Sequence, residues 1–131
     1  KPSDFSKFAV PQKTGLRPLM TMGKLELDMM QVLPFVLTAQ IGDCGAAGVL
    51  LSLAHILDFA DPGERVGVID YGGGAGCDAW SLVCTDALAE RRPESGLVIQ
   101  LIEDKIMVDY ATMVKYEQKL IQSPHRLSNF Y

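Results

Sequence analysis

Three cysteines, two histidines and one glycine tract are the features of this 131-residue chain that could do chemistry. Cys44 follows Ile41-Gly42-Asp43. Cys77 closes a tract within Asp70 to Ser81, DYGGGAGCDAWS, and Cys84 lies beyond it. A cysteine becomes a nucleophile when a neighbouring cation or base lowers its pKa. Neither Cys44 nor Cys77 has a histidine or lysine beside it in sequence, so both read as small buried residues. An odd number of cysteines without CxxC spacing argues against a disulfide framework and against a zinc site. Reduced thiols in a cytosolic protein, with no resident metal, are the expectation. His55 sits among leucines and isoleucine and reads as a core or interface histidine. His125 lies beside Pro124 in a polar tail and is expected to be exposed.

The glycine tract admits two readings. Gly72, Gly73, Gly74 and Gly76 follow an apolar run, VGVID, and precede another, WSLVC. A plain hairpin needs only one or two residues at positive φ. The tract is then either a wide hairpin packed against a neighbour, or a wall where a ligand or reacting side chain approaches the backbone closely. A phosphate-loop or dinucleotide-binding reading is weak. No helix pattern and no GK[ST] follows the glycines.

The elements that must position these residues are legible in outline. The chain is long enough for one domain with a real core. It carries a net charge of −4 and no basic stripe, which disfavours nucleic acid as a partner. Its longest apolar stretch, Ala46 to Ala60, is interrupted by Ser52, His55 and Asp58 and is too short to span a bilayer. The N-terminus lacks the order of a signal peptide and an initiator Met, so an excised domain or processed chain is expected. Lys7 to Pro11 reads as a short strand, Thr14 to Lys24 as a helix, and Glu26 to Leu33 as a second short helix ended by Pro34. Gly42 and Asp43 read as turn and N-cap of a helix over Ala46 to Phe59. That helix is apolar on nearly every face and so belongs in the middle of a fold. Ala46, Ala47 and Gly48 would let it approach a neighbouring backbone. Ala60-Asp61-Pro62-Gly63 stops it. Arg65 to Tyr71 and Ala79 to Thr85 read as paired strands, with Tyr71 and Trp80 in the core. Ala87 to Gly96 is a polar helix or loop. Leu97 to Lys105 has helical spacing, and Met107 to Leu120 is open between helix and strand. The expected architecture is α/β, a mixed sheet packed on a buried central helix.

The stretch IGDCGAAGVLLSLAHILDFADPGERVGVIDYGGGAGCDAWSLVCTD resembles the C-terminal half of archaeal-type hydroxymethylglutaryl-CoA synthases, members of the thiolase-like superfamily. Those proteins read SYGSGAGSDA where this chain reads DYGGGAGCDA. KIMVDYATMVKYEQKL resembles their YVDYATYxKF signature. Gly15, Pro18, Leu25, Gln31, Pro34 and Ile41-Gly42-Asp43 also fall in family positions, so the resemblance covers nearly the whole chain. The chain is also similar to bacterial acyltransferase subunits that acetylate phloroglucinol rings.

The resemblance implies a thiolase-like half, with 1–131 as most of the second half of a two-half, oligomeric fold. It implies carbon–carbon bond formation from acyl-CoA. A cysteine in the first half takes the acyl group, and a second acyl-CoA supplies the carbon nucleophile. Acyl-CoA is then substrate, and no cofactor is permanently bound. The implied active-site wall comprises Gly42, Asp43, Cys44, Gly72, Gly73, Gly74 and Gly76. Asp43 is expected to cap the helix rather than hold an oxyanion. The family's histidine motif, F-H-Q-P-N-G, reads FAVPQKTG here. Pro11 stands at the histidine position, and a one-residue shift puts Gln12 there. Lys13, Arg17 and Lys24 read as a solvated face, with CoA phosphates as the alternative contact. The implied partners are the N-terminal half and, by analogy, a zinc-ribbon and OB-fold protein bridging to a thiolase. A non-catalytic thiolase-like subunit that supports an active partner is the competing expectation. A stand-alone binding module has only generic composition behind it. An isolated half is expected to expose apolar surface around the Ala46–Phe59 helix and not to stay monomeric.

Overall fold

A computed structural model describes residues 1–71, 76–95 and 97–117. Three strands form one mixed sheet: β1 (Lys7–Ala9), β2 (Arg65–Tyr71) and β3 (Cys77–Val83), in the order β1-β2-β3. β1 and β2 are parallel, with Phe8 beside Gly67. β2 and β3 are antiparallel, with Val68 beside Trp80. Between β1 and β2 the chain forms α1 (Leu16–Leu25), α2 (Met29–Val32), α3 (Thr38–Ile41) and α4 (Ala47–Phe59). After β3 come α5 (Asp86–Arg91), α6 (Val98–Glu103) and α7 (Tyr110–Tyr116).

The period-two alternation of strand side chains divides the core in two. Ala9, Val66, Val68 and Cys84 point to one face and pack with Val49 and Ile56 of α4. Phe8 and Val10 point to the other and pack with Met22, Leu27 and Val32 from the α1–α2 region. The fold is therefore α/β, with helices on both faces of a small mixed sheet. Gly67 is dictated by this arrangement. A Cβ there would lie 2.1 Å from the Phe8 ring.

Local chemistry explains where the elements depart from expectation. The second helix is shorter than Glu26 to Leu33. Glu26 takes φ +55 to end α1, and Asp28 caps α2 by accepting from the Met30 N–H at 2.8 Å. Pro34 then forces a 3-10 turn over Leu33–Phe35. β3 runs two residues earlier than expected. Cys84 already pairs with the turn before β2, its N–H donating to the Glu64 carbonyl at 2.9 Å. The open segment after Lys105 resolves as a helix from Tyr110, because the Asp109 carboxylate accepts from the Thr112 N–H at 2.8 Å. That bond also holds the Asp109 carboxyl below its usual pKa.

α4 is not enclosed on every side. Val49, Ser52, His55 and Ile56 are buried, whereas Leu50 is 62% exposed and Phe59 50%. Ala46 and Ala47 are exposed, and a Cβ at Gly48 would meet nothing within 4 Å, so among the described residues none packs closely where a Gly48 side chain would stand. α4 does end at Phe59 as expected. Arg92 clasps that end, donating to the Leu57 carbonyl at 3.2 Å and to the Ala60 carbonyl. Trp80 and Tyr71, expected in the core, are exposed because β3 is an edge strand and Tyr71 ends β2. Among the described residues, no helix is long and apolar enough to cross a membrane.

Candidate functional site

β1 and β2 run parallel, so their carboxyl ends meet on one side of the sheet. There β1 delivers Pro11, Gln12 and Lys13, and β2 delivers Asp70 and Tyr71. The loop into α4 adds Asp43, Gly45 and Ala46. Together with Val49 they line a cleft of about 270 Å³. Open α/β sheets bind ligands at this place, outside the carboxyl ends of their strands. A larger depression, about 570 Å³, lies at the opposite ends, around Ser3–Ser6 and Gly63–Arg65. It contains none of the residues read as site candidates in the sequence.

Gln12 reaches the cleft but its side chain is engaged elsewhere. It is buried, and its amide nitrogen donates to the Phe35 carbonyl at 3.2 Å and the Gly48 carbonyl at 3.3 Å. Its amide oxygen accepts from the Leu37 N–H at 2.7 Å and the Thr38 hydroxyl at 3.3 Å. The side chain thus fastens the exit of β1 to the 3-10 turn and to α4. Both donors and the acceptor are satisfied inside the protein. Pro11 offers no polar side chain.

The loop into α4 is built on Gly42, whose φ of +76 is a conformation that L side chains rarely adopt. Asp43 does not cap α4 itself. Ala46 occupies the N-cap, and the Asp43 carboxylate accepts from the Gly45 N–H at 2.8 Å, closing a turn one step earlier. Cys44 is half-buried with its thiol 3.9 Å from the Gly42 carbonyl, a weak contact. Cys77 is exposed at the start of β3, not buried as expected. Cys84 is buried in the core, and burial pushes its thiol pKa up, keeping it protonated and inert. Gly76 is exposed, and a Cβ there meets nothing within 4 Å. Gly72, Gly73, Gly74 and His125 lie outside the described residues.

Sequence reasoning missed Tyr71 and Asp70 as cleft residues. Tyr71 is 43% exposed, and the Arg17 guanidinium of α1 lies over its ring at 6.0 Å. The missed signal was position: a residue ending a parallel strand beside a glycine tract faces the crevice rather than the core. Lys13 lines the same cleft. His55 is buried, as expected of a core histidine, edge-on to Phe35 and Phe59. Burial lowers its pKa, with Asp58 opposing the shift. Among the described residues, no group of three His, Cys, Asp or Glu side chains comes together to hold a metal.

The sheet with helices on both faces defines an α/β protein, with a cleft at the carboxyl edge of its parallel strands. No family model matches the chain. Curated relatives do. The chain is 38% identical over 120 residues to the hydroxymethylglutaryl-CoA synthase of Aeropyrum pernix, covering 92% of this chain and 33% of that protein. It is 33% identical over 123 residues to the Methanosarcina barkeri hydroxymethylglutaryl-CoA synthase, covering 94% and 35%. It is 33% identical over 121 residues to that of Pyrococcus furiosus, covering 92% and 35%. The chain is hydroxymethylglutaryl-CoA synthase-like over nearly its whole length. It spans about a third of the length of the curated relatives it matches.

Proposed function

We propose that this chain is the C-terminal, thiolase-like part of an acyl-CoA condensing acyltransferase of the hydroxymethylglutaryl-CoA synthase type. The observation that carries the reading is the cleft. Three stretches singled out for their family resemblance, FAVPQKTG, IGDCGAAG and the residues before the glycine tract, line one crevice. Its volume of about 270 Å³ falls below the ~300–1,000 Å³ usual for a small-molecule site. That suits one wall of a site whose other wall, with the acyl-accepting cysteine, belongs to the N-terminal part. In this role Asp43 lines the wall beside the acyl group, and Gly42 and Cys44 belong to the loop that carries it. Acyl-CoA is the substrate, and no resident cofactor is needed. Lys13 supplies positive charge at the mouth, and Gln12 holds the β1 exit against α4.

In the reaction class, a cysteine thiolate attacks the acyl thioester and free CoA thiol leaves. A carbon nucleophile then attacks the new acyl-enzyme and frees the cysteine. The second step needs a base when the carbon must first lose a proton. Pro11 has no proton acceptor and the Gln12 amide is no base, with its groups engaged by backbone. The reading therefore favours an acceptor that is already nucleophilic, such as an electron-rich ring, or a base from another chain. The same observation favours a second reading, a non-catalytic subunit that supports an active partner. A bridging zinc-ribbon and OB-fold protein and a thiolase belong to either reading as partners by analogy.

The test is the intact mass of the native assembly containing this chain, before and after acetyl-CoA. The expected outcome is a second polypeptide that gains one acetyl group, while this chain, alone or in the assembly, gains none. An assembly in which nothing is acylated leaves the supporting-subunit reading. Acetylation of this chain itself would sink both.

A further inference from the structure

Asp70 is the last residue but one of β2, and packing does not account for it. The pairing of β1 with β2 ends with Ala9 beside Val68. Carrying that parallel register two residues on sets Asp70 level with Pro11, where β1 offers no proton acceptor. Asp70 shares the parity of Val66 and Val68, whose side chains pack with α4. Its carboxylate thus belongs to the sheet face that meets the loop into α4, and Pro11, Asp43, Gly45 and Asp70 line one cleft.

Among the titratable groups of that cleft, Asp70 is the best placed to take a proton. Lys13 brings donors only. Tyr71 brings a phenol with the Arg17 guanidinium over its ring. The Asp43 carboxylate accepts from the Gly45 N–H, but it is exposed on a loop where water competes for it. Asp70 is half-buried, and its Oδ1 accepts from the Tyr71 N–H at 2.8 Å. Among the described residues its Oδ2 accepts no hydrogen bond. One oxygen fixes the carboxylate and the other is left to react. Its position is also costly. The ladder sets Asp70 directly opposite Asp78 of β3, and like charges so placed weaken a sheet. A residue that breaks a local rule without a structural return marks a functional place.

We propose that Asp70 is the proton acceptor of the condensation step, taking the proton that an electron-rich ring sheds once its carbon has joined the acyl group. The inference rests on the acyltransferase reading above. The ring carbon attacks the acyl carbon held on the cysteine of the N-terminal part. A carbon–carbon bond forms and the carbon–sulfur bond breaks. The attacked ring carbon still bears its hydrogen. Asp70 Oδ2 takes it as a proton, and the electron pair of that C–H bond returns to the ring. The proton then passes to the departing sulfur, so the thiol and the free carboxylate are both regenerated. Asn at this position would keep the shape and the bond to the Tyr71 N–H but could not accept the proton.

The experiment uses the native assembly containing this chain, with acetyl-CoA as donor and phloroglucinol as the ring probe. Acylation is read by intact mass, and transfer by the acetylated ring. The expected result is an acylated assembly that passes its acetyl group to the ring. Asp70→Asn should slow the transfer about 100-fold, so that the acyl-enzyme accumulates. The same variant should raise the melting temperature, because the repulsion with Asp78 is gone. Asp78→Asn relieves that repulsion from β3 and should raise the melting temperature without slowing transfer. Formate should restore part of the transfer lost in Asp70→Ala, which it could not do for a carboxylate with a structural role. An assembly in which nothing is acylated overturns the inference together with the condensing reading. Acylation without ring product, or transfer that survives Asp70→Asn, overturns the inference and leaves that reading standing. So does an Asp70→Asn assembly that melts lower, with no formate rescue of Asp70→Ala.

Discussion

Gln12 and Gly67 show how little freedom some single positions have. Gln12 occupies the neighbourhood where the family resemblance leads one to expect a histidine, yet its side chain ties three backbone groups together. Gln12→Ala would strand the Leu37 N–H in the interior, and a buried unpaired donor costs about 1–3 kcal/mol. Urea unfolding should show a loss of that size. Because Gln12 is not a base, the variant should leave the pH dependence of acylation of the partner polypeptide in the native assembly unchanged. Gly67→Ala drives a methyl into the Phe8 ring, and overpacking of this kind costs about 1–3 kcal/mol. Phe8→Leu in the same chain should recover part of it, which a thermal melt of the single and double variants will measure. Gln12 was visible in the sequence only as a departure from a motif. Its partners come from the turn at Phe35 and from α4, and no local pattern announces contacts that distant. Tyr71 was misplaced for a related reason. Aromatic type argues for the core, but position at a strand end decides.

Among the elements, α4 organises the most. Its apolar run and its end at Phe59 were legible, because Pro62 and Gly63 follow it closely. Which faces would be covered was not legible, since that depends on neighbours. The expectation of a helix buried all round met exposed Leu50 and Phe59. The helix carries a pH dependence through His55. Its folded pKa is depressed by burial, against an ordinary value of 6.5, while Asp58 at 3.9 Å pulls the other way. The unfolded chain then binds a proton that the folded chain refuses. Stability should fall as the pH drops below about 6.5, and continue to fall until the folded state also protonates. His55→Gln should flatten that part of the profile, measured as the urea midpoint between neutral and mildly acidic pH. The Glu64 carboxyl contributes separately at lower pH. Burial would raise its pKa, but the Lys7 ammonium and the Asp61 N–H outweigh that and hold it below the usual value. Its contribution is therefore lost only as the pH falls through that depressed value.

For the whole molecule, the α/β class and the β2–β3 hairpin were legible because period-two and helical patterns alternate cleanly along the chain. The division of the core into two faces was not, because it depends on β1 finding β2 across four helices. The chain spans about a third of its relatives' length, and it leaves large apolar residues exposed, Leu50, Trp80 and Leu82 among them. The parallel pairing of β1 and β2 also has a consequence for synthesis. Ser6 bonds to Arg65, which lies 59 positions further along the chain. A ribosome releases β1 long before its partner β2 exists. The hairpin of β2 and β3 closes locally, whereas Lys7–Ala9 has nothing to join until β2 has emerged. β1 thus waits unpaired while the four helices between it and β2 are made. Until then Phe8 and Val10 have Met22, Leu27 and Val32 for cover, but Ala9 and the main chain of Lys7–Ala9 lack their partners, and the nascent chain is most exposed to misassociation during that interval.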